Sequence, residues 1–304
     1  MTYPLFTVKK KGLLTSFQDS GRLGYQAKGV VVSGVMDSYS FEQANRLVGN
    51  HRNEACIEMG LIGPTLQLLA DEAMIAVCGA NINPKLNGVA VPMWKSIKVQ
   101  KGDFLSFPGT SEGVYAYLAV RGGFSVAEVL GSKSYYNKAN IGTAIHDGDT
   151  LYGQELSTYR SRFLSSDIIP SFPKEQTVRV IPGPHEKYFT NDSLQRFFST
   201  TYTIKQTDRM GARLDGQPLE IVGSGDISSD AIPFGGIQVP RNGQPLVLLA
   251  DRQTTGGYPR IGTIIKADIR KMAQLPPGGE VRFQRTTLEE AYMLSSCYLN
   301  KTNE

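Results

Sequence analysis

Three short stretches concentrate residue types that bind anions or amides. The first runs from Gln18 to Asn50. It holds Asp19, Arg22, Ser33, Asp37, Asn45 and Asn50 among glycines at 21, 24, 29 and 34. Glycine lets a backbone turn sharply and come close to a ligand, and such turns can aim N–H groups at an anion. Arg22 offers paired donors that suit a carboxylate or phosphate. The plainer reading of the same stretch is turn chemistry, with Asp37 capping a helix.

The second stretch is Gln238 to Pro259. The apolar run Leu246 to Ala250 reads as a strand, and it empties into Asp251-Arg252-Gln253-Thr254-Thr255-Gly256-Gly257-Tyr258-Pro259. Threonine hydroxyls and the Gln253 amide supply donors and acceptors without charge, which suits an amide or a phosphate. The alternative is a hairpin turn with Asp251 and Arg252 solvated. The third stretch is Asp208-Arg209-Met210-Gly211-Ala212-Arg213. Arg209 and Arg213 could share an anion, or could enter a structural ion pair. Glu58, after Ala55-Cys56-Ile57, reads as a solvated strand residue and less readily as a base.

No nucleophile stands beside a base in any of these stretches. The phosphate loop, the G-x-S-x-G elbow and the H-E-x-x-H pair are absent, and three scattered histidines do not suggest a metal centre. Neither Met93-Trp94-Lys95 nor Lys271-Met272 looks like a lysine set up to carry biotin. A site completed by a partner chain would have this character.

Short strands must position these loops. Segments 2–9, 73–78, 114–120, 177–181, 245–250 and 281–284 are apolar or alternating and are bounded by turn residues. Helices are fewer. One is expected from Asp37 or Ser38 to Val48, stopped by Gly49, with others over 192–198 and 266–274 and from Thr287 to about Leu299. Residues 154–176 read as a connection between two lobes, 1–160 and 175–304, the second ending in a helix. A weak echo links Gln18–Gly24 with Gln206–Gly211, and Lys101–Phe107 with Pro277–Phe283, as a duplicated β-lobe would.

Composition agrees with a strand-rich globular chain. Of 304 residues, 32 are glycine and 16 proline, so turns are many; a net charge of +4 without a basic cluster argues against nucleic acid. Three cysteines without a C-x-x-C pair argue against a disulfide framework, and no run is long and apolar enough for a membrane span. A soluble, cytoplasmic protein is expected.

Taken in order, six stretches resemble one family closely: Gln18–Gly24, Ser33-Gly34-Val35-Met36-Asp37, Ala44–Asn50, Asp208–Gly211, Gly236–Pro240 and Ala250–Tyr258. This family comprises the carboxyltransferase part of urea amidolyase (allophanate hydrolase subunit 2), the C subunit of bacterial 5-oxoprolinase and the KipA regulator. The resemblance covers about residues 8 to 284. It implies a mainly β protein with a few short helices, arranged as two cyclophilin-like β-barrel lobes. It also implies a heteromeric complex that opens 5-oxo-L-proline to L-glutamate, in which this chain is joined by the A subunit of the enzyme, plus a KipI-like B subunit. ATP with Mg²⁺ would be shared with the partner, and the chain would be inactive alone. Within that frame Asp37 and Asp251 are candidates for a proton or Mg²⁺. Arg22, Ser33, Arg209, Arg213, Gln238, Gln253, Thr254, Thr255, Gly256, Gly257 and Tyr258 are candidates for substrate or phosphate. Other members imply a KipA-like regulator of a histidine kinase, or a carboxyltransferase using biotin carried elsewhere. The chain departs from the family pattern at Lys133, where arginine is frequent.

Overall fold

The computed structural model describes residues 2–154 and 160–303, with side chains of the last helix described as far as residue 295. Part of the expected connection, residues 155–159, lies outside the described residues, as does the side chain of Cys297. The chain divides into two compact units. The first comprises Met1–Arg22 and Ser33–Phe172; the second comprises Leu23–Val32 and Pro173–Glu304.

In the first unit the strands are β1 (Thr2–Lys10), β2 (Leu14–Gln18), β3 (Cys56–Gly60), β4 (Thr65–Leu68), β5 (Glu72–Asn81), β6 (Lys85–Leu86), β7 (Val89–Ala90), β8 (Ser96–Gln100), β9 (Phe104–Ser106), β10 (Glu112–Val120) and β11 (Thr150–Gln154). They form a sheet ordered β11-β1-β4-β9-β6-β7 and a second ordered β2-β3-β10-β5-β8. One apolar cluster draws Phe6, Val8 and Leu66 from the first sheet and Ile57, Val77 and Leu118 from the second. Strand β4 shows the expected period of two: Leu66 and Leu68 are buried while Thr65 and Gln67 are half-buried. β5 and β10 are buried almost throughout, because helix α1 (Ser38–Val48) packs against both. That explains why they read as continuous apolar runs.

Helix α1 begins and ends where its residues dictate. The Asp37 carboxylate accepts from the Ser40 N–H at 3.1 Å, and Gly49 closes the helix at φ 74°. Alanine at Asp37 is expected to lower stability by about 1–2 kcal/mol, read as a shift in the urea midpoint.

The second unit contains β12 (Glu175–Pro182), β13 (Thr201–Thr207), β14 (Gly211–Asp215), β15 (Asp230–Ala231), β16 (Gly236–Gln238), β17 (Leu246–Leu248), β18 (Thr255–Gly256), β19 (Arg260–Ile264) and β20 (Glu280–Arg285). Seven of them close a barrel in the order β12-β19-β16-β17-β14-β13-β20, and β15 pairs with β18 as a separate ribbon. Closure leaves no free sheet edge in the barrel. Helix α2 (Asn191–Ser199) contributes Phe197, whose ring stacks on Phe283 with centroids 4.5 Å apart. Helix α3 (Ile269–Ala273) follows a single 3₁₀ turn, Lys266–Asp268. Helix α4 (Leu288–Asn303) opens with the expected reciprocal cap: the Glu290 N–H donates to Thr287 Oγ1 at 3.2 Å.

Asp268 locks β12 onto α3. Nearly inaccessible, it accepts two side-chain bonds from Arg179, both 2.7 Å, and one from the Arg179 N–H at 2.9 Å. Burial alone would raise this carboxyl; the Arg179 bonds, helped by Lys271, outweigh it and hold it below the usual carboxylate range. The folded value therefore lies under the unfolded one. The stability it contributes is complete above the unfolded value, about 3.9, and is lost as pH falls through the folded value. Wild type should lose thermal stability below about pH 4 more steeply than Asp268→Asn, which no longer titrates here.

Candidate functional site

In the first unit the stretches Gln18–Arg22 and Ser33–Asp37 fold around buried carboxylates. Asp19 Oδ1 accepts from the Ser132 and Ser134 hydroxyls, both 2.6 Å, and from the Gly21 N–H at 2.8 Å; Oδ2 accepts from the Lys133 N–H at 2.7 Å. The Gly131-Ser132-Lys133-Ser134 loop is thus wrapped on Asp19, and Lys133 Nζ reaches Glu54 at 2.6 Å. Arg22 is fully buried. Its guanidinium donates to the Val129 carbonyl at 3.1 Å and to the Ser134 carbonyl, so it fastens the same loop.

Ser33 is buried at φ 57° and Gly34 follows at φ 85°. Two successive left-handed residues turn the chain into α1. A Cβ on Gly34 would lie 3.0 Å from the Ser20 and Gly21 backbone, so only glycine fits there. Serine at positive φ is uncommon and stores strain. Asp37 then caps α1, with Oδ2 also accepting from the Ser40 hydroxyl at 2.6 Å, while its own N–H donates to the Tyr117 oxygen at 2.8 Å.

Glu58 is corrected by the structure. It is 2% exposed rather than solvated, and its Oε2 accepts from Tyr117 Oη at 2.7 Å and from the Met36 N–H at 2.9 Å. Its strand is buried along its whole length, so the carboxylate has no solvent face to take. Burial first, then the Glu58 and Asp37 charges, push the Tyr117 phenol well up, so it stays a donor.

In the second unit the structure sorts the candidates into two groups. Arg209 pairs with Asp251 through two 2.9 Å bonds, to Oδ1 and Oδ2, and the Asp251 N–H donates to the Arg209 carbonyl at 2.8 Å. Arg213 lies apart. On β14 it alternates with buried Ala212 and Leu214 and is exposed, so the two arginines do not converge on one anion. Arg252 is also not solvated. Its guanidinium donates to the Ile232 carbonyl at 2.9 Å and lies 5.4 Å from the Phe234 ring centroid, and burial lowers its pKa to about 10.

The second group surrounds the β15–β18 ribbon. Thr255 pairs with Ala231 and Gly256 with Asp230, while the Gly257 carbonyl accepts from the Ile227 N–H and the Thr254 carbonyl from the Ile232 N–H. Gln238 is 2% exposed, and its Nε2 donates to the Tyr258 carbonyl at 3.2 Å. A Cβ on Gly256 would lie 2.7 Å from Gln238 Nε2 and 2.8 Å from Ile232 Cδ1. The ribbon backbone therefore rests directly on the Gln238 amide. Gln253 and Thr254 are half-buried, and Thr255 and Tyr258 are exposed.

Three neighbours were not singled out by motif. Arg260, opposite Gln238 in the barrel, donates from Nη1 to the Ala231 carbonyl at 2.7 Å, with Nη2 3.3 Å from Asp230. His185 Nδ1 accepts from the Arg260 N–H at 3.2 Å, which leaves the proton of the neutral ring on Nε2. Burial first lowers the His185 pKa; Asp230 raises it, and Arg260 and Lys187 lower it further. The available signal was Pro182-Gly183-Pro184-His185 at the end of a strand, a rigid turn that presents one histidine. Among the described residues no group of three or more His, Cys, Asp or Glu is placed to hold a metal ion, and no helix is long and apolar enough to cross a membrane.

With this geometry in hand, the decisive comparison is with the carboxyltransferase domain, subdomains A and B, which matches residues 28–285. The chain belongs to that family. Within the carboxyltransferase-domain family it is 36% identical to the 5-oxoprolinase C subunit of Haemophilus influenzae, over 92% of this chain and 90% of that protein. The crystal structure of the K. lactis urea amidolyase superposes with a TM-score of 0.89 at 29% identity; it covers 99% of this chain, which spans 20% of that one. The structure of TTHA0988 gives 0.85 at 33% identity, covering 92% of this chain, which spans 55% of that one. The mainly β architecture is thus shared with these solved structures.

Proposed function

We propose that this chain is the C subunit of an ATP-dependent 5-oxoprolinase, acting with the A and B subunits to hydrolyse 5-oxo-L-proline to L-glutamate. One observation carries the reading: the chain is 36% identical to the Haemophilus influenzae 5-oxoprolinase C subunit over 92% of this chain and 90% of that protein. A cytoplasmic location goes with this assignment.

The chemistry asks for what the second unit offers. A lactam is a poor electrophile, and phosphorylation of its oxygen makes the ring carbon attackable by water. Fixed donors must hold the charge that develops. Gln238, Arg260 and the Gln253–Tyr258 loop supply neutral and cationic donors around one ribbon. Both candidate carboxylates for Mg²⁺ are engaged, Asp37 in a helix cap and Asp251 with Arg209. The described residues of this chain therefore do not fit a metal, and we assign the ion to the triphosphate and the partner subunits. That the B subunit is a KipI-like chain is part of the same proposal.

The test is glutamate release from 5-oxoproline and ATP by the co-purified subunits, with and without this chain. Glutamate only in its presence supports the assignment. A second reading, a carboxyltransferase acting on carboxyl-biotin carried by another chain, is favoured by the TM-score of 0.89 to the urea amidolyase. Avidin separates the two: it should leave glutamate release unchanged, and absent glutamate release with avidin-sensitive, bicarbonate-dependent ATP hydrolysis would favour the carboxyltransferase.

A further inference from the structure

Among the described residues, two complementary polar atoms beneath the ribbon have no hydrogen-bond partner. Gln238 Oε1, an acceptor, and Arg260 Nε, an N–H donor, are both buried without a hydrogen bond. Neither can be relieved by a simple flip. Exchanging the Gln238 amide atoms would set its oxygen against the Tyr258 carbonyl that Nε2 now serves. Arg260 is held by Nη1 on the Ala231 carbonyl and Nη2 on Asp230, which leaves Nε–H as its spare donor.

The barrel brings the two side chains to one face by a deliberate irregularity. Ile237 pairs with Gly262, but Gln238 pairs with Arg260, so Ile261 is an extra residue in β19. Without that bulge Arg260 would share a face with the partner of Ile237. With it, Arg260 stands opposite Gln238. The ribbon shows the same convergence from above. Its Asp230–Gly256 pair is touched at Gly256 by the Gln238 amide and at Asp230 by the Arg260 guanidinium.

We infer that Gln238 and Arg260 form a recognition pair for the edge of an unsubstituted amide: its N–H donates to Gln238 Oε1 and its carbonyl accepts from Arg260 Nε–H. The chemical class is a small planar compound that presents N–H and C=O side by side, as a lactam or a urea does. A carboxylate has no N–H for Gln238, and a phosphate has none either. That the natural ligand is a lactam rests on the function proposed above; the amide-edge complementarity does not. The ribbon, two residues per strand, contacts both members of the pair, Gln238 at Gly256 and Arg260 at Asp230, so a ligand between them must displace it.

The test uses the full chain and three neutral probes: 2-pyrrolidone, N-methyl-2-pyrrolidone and γ-butyrolactone, followed by calorimetry and by amide NMR shifts at Gln238 and Gly256. 2-Pyrrolidone should bind, and the two probes without an N–H should bind about tenfold or more weakly, the factor one buried hydrogen bond is worth. Gln238→Met should abolish the preference, and Arg260→Lys should weaken 2-pyrrolidone through its carbonyl while leaving the order of the three probes, with the circular dichroism of both variants that of wild type. Because the probe series is read on unmodified protein, a variant that misfolds does not blunt the test. Equal binding of the three probes, no binding of 2-pyrrolidone, or crystals soaked in it that show only a water between the two side chains would overturn the inference. Preferential 2-pyrrolidone binding without glutamate release removes the 5-oxoprolinase reading alone. Glutamate release unchanged in Gln238→Met removes the recognition pair alone.

Discussion

Alanine in place of Asp251 is expected to destabilise the second unit by about 3–5 kcal/mol, the range for removing one partner of a buried ion pair. The side chains of Arg209 and Asp251 are 15% and 9% exposed, and the two meet through paired bonds at 2.9 Å. Alanine would take both paired bonds from a largely desolvated guanidinium, and losing that partner costs more than the pair contributes relative to an apolar match. The double substitution Asp251→Leu with Arg209→Met should therefore recover much of the loss. Hydrogen exchange at barrel amides such as Ala212 and Val247 reads the effect. An Asp251→Ala protein as protected as wild type there would show that the pair is solvent-relaxed.

Asp19→Ala is expected to cost the first unit about 3 kcal/mol, since several charge-assisted bonds of about 1.5–3 kcal/mol each are lost and do not simply add. One carboxylate accepts from Ser132, Ser134, Lys133 and Gly21. Arg22 holds the same loop through the Ser134 carbonyl, so the loop should loosen together with Arg22. Asp19→Asn should lie between, because its NH₂ presents a donor where a serine hydroxyl or the Lys133 N–H needs an acceptor. Trp94 is the one tryptophan of the chain and lies in the first unit. Its fluorescence along a urea titration reports this unit directly, and an unchanged midpoint in Asp19→Ala would contradict the role given to the carboxylate.

Local signals in the sequence were strong where one residue decides the backbone. Asp37 and Gly49 bracket α1, and Thr287 with Glu290 starts α4, as their capping chemistry requires. The six apolar segments all lie in strands or at their edges, because burial on one or both faces leaves a pattern of period two or a continuous run. The site was less legible. Gln238 and the Gln253–Tyr258 loop were singled out, and they do meet. Arg260 was not, because what aims it is a bulge at Ile261, a pairing property with no residue signature. Glu58 was misjudged for a related reason. A lone carboxylate in a strand is ordinarily solvated, and only the register that sets Tyr117 beside it supplies a buried donor. The paired fate of Arg209 and Asp251 likewise depends on residues 42 positions apart in the chain.

Residues Leu23–Val32 group with the second unit although Arg22 and Ser33, on either side, belong to the first. The ribosome therefore delivers a piece of the second unit long before the rest of it. At about 5–20 residues per second, that piece waits roughly ten to thirty seconds for the strands from Glu175 onward. It also means that no single cut yields both units whole. A fragment starting at Pro173 lacks ten of its own residues, and one ending at Phe172 carries ten that are foreign to it. The two units are distinct in their contacts but interleaved along the chain.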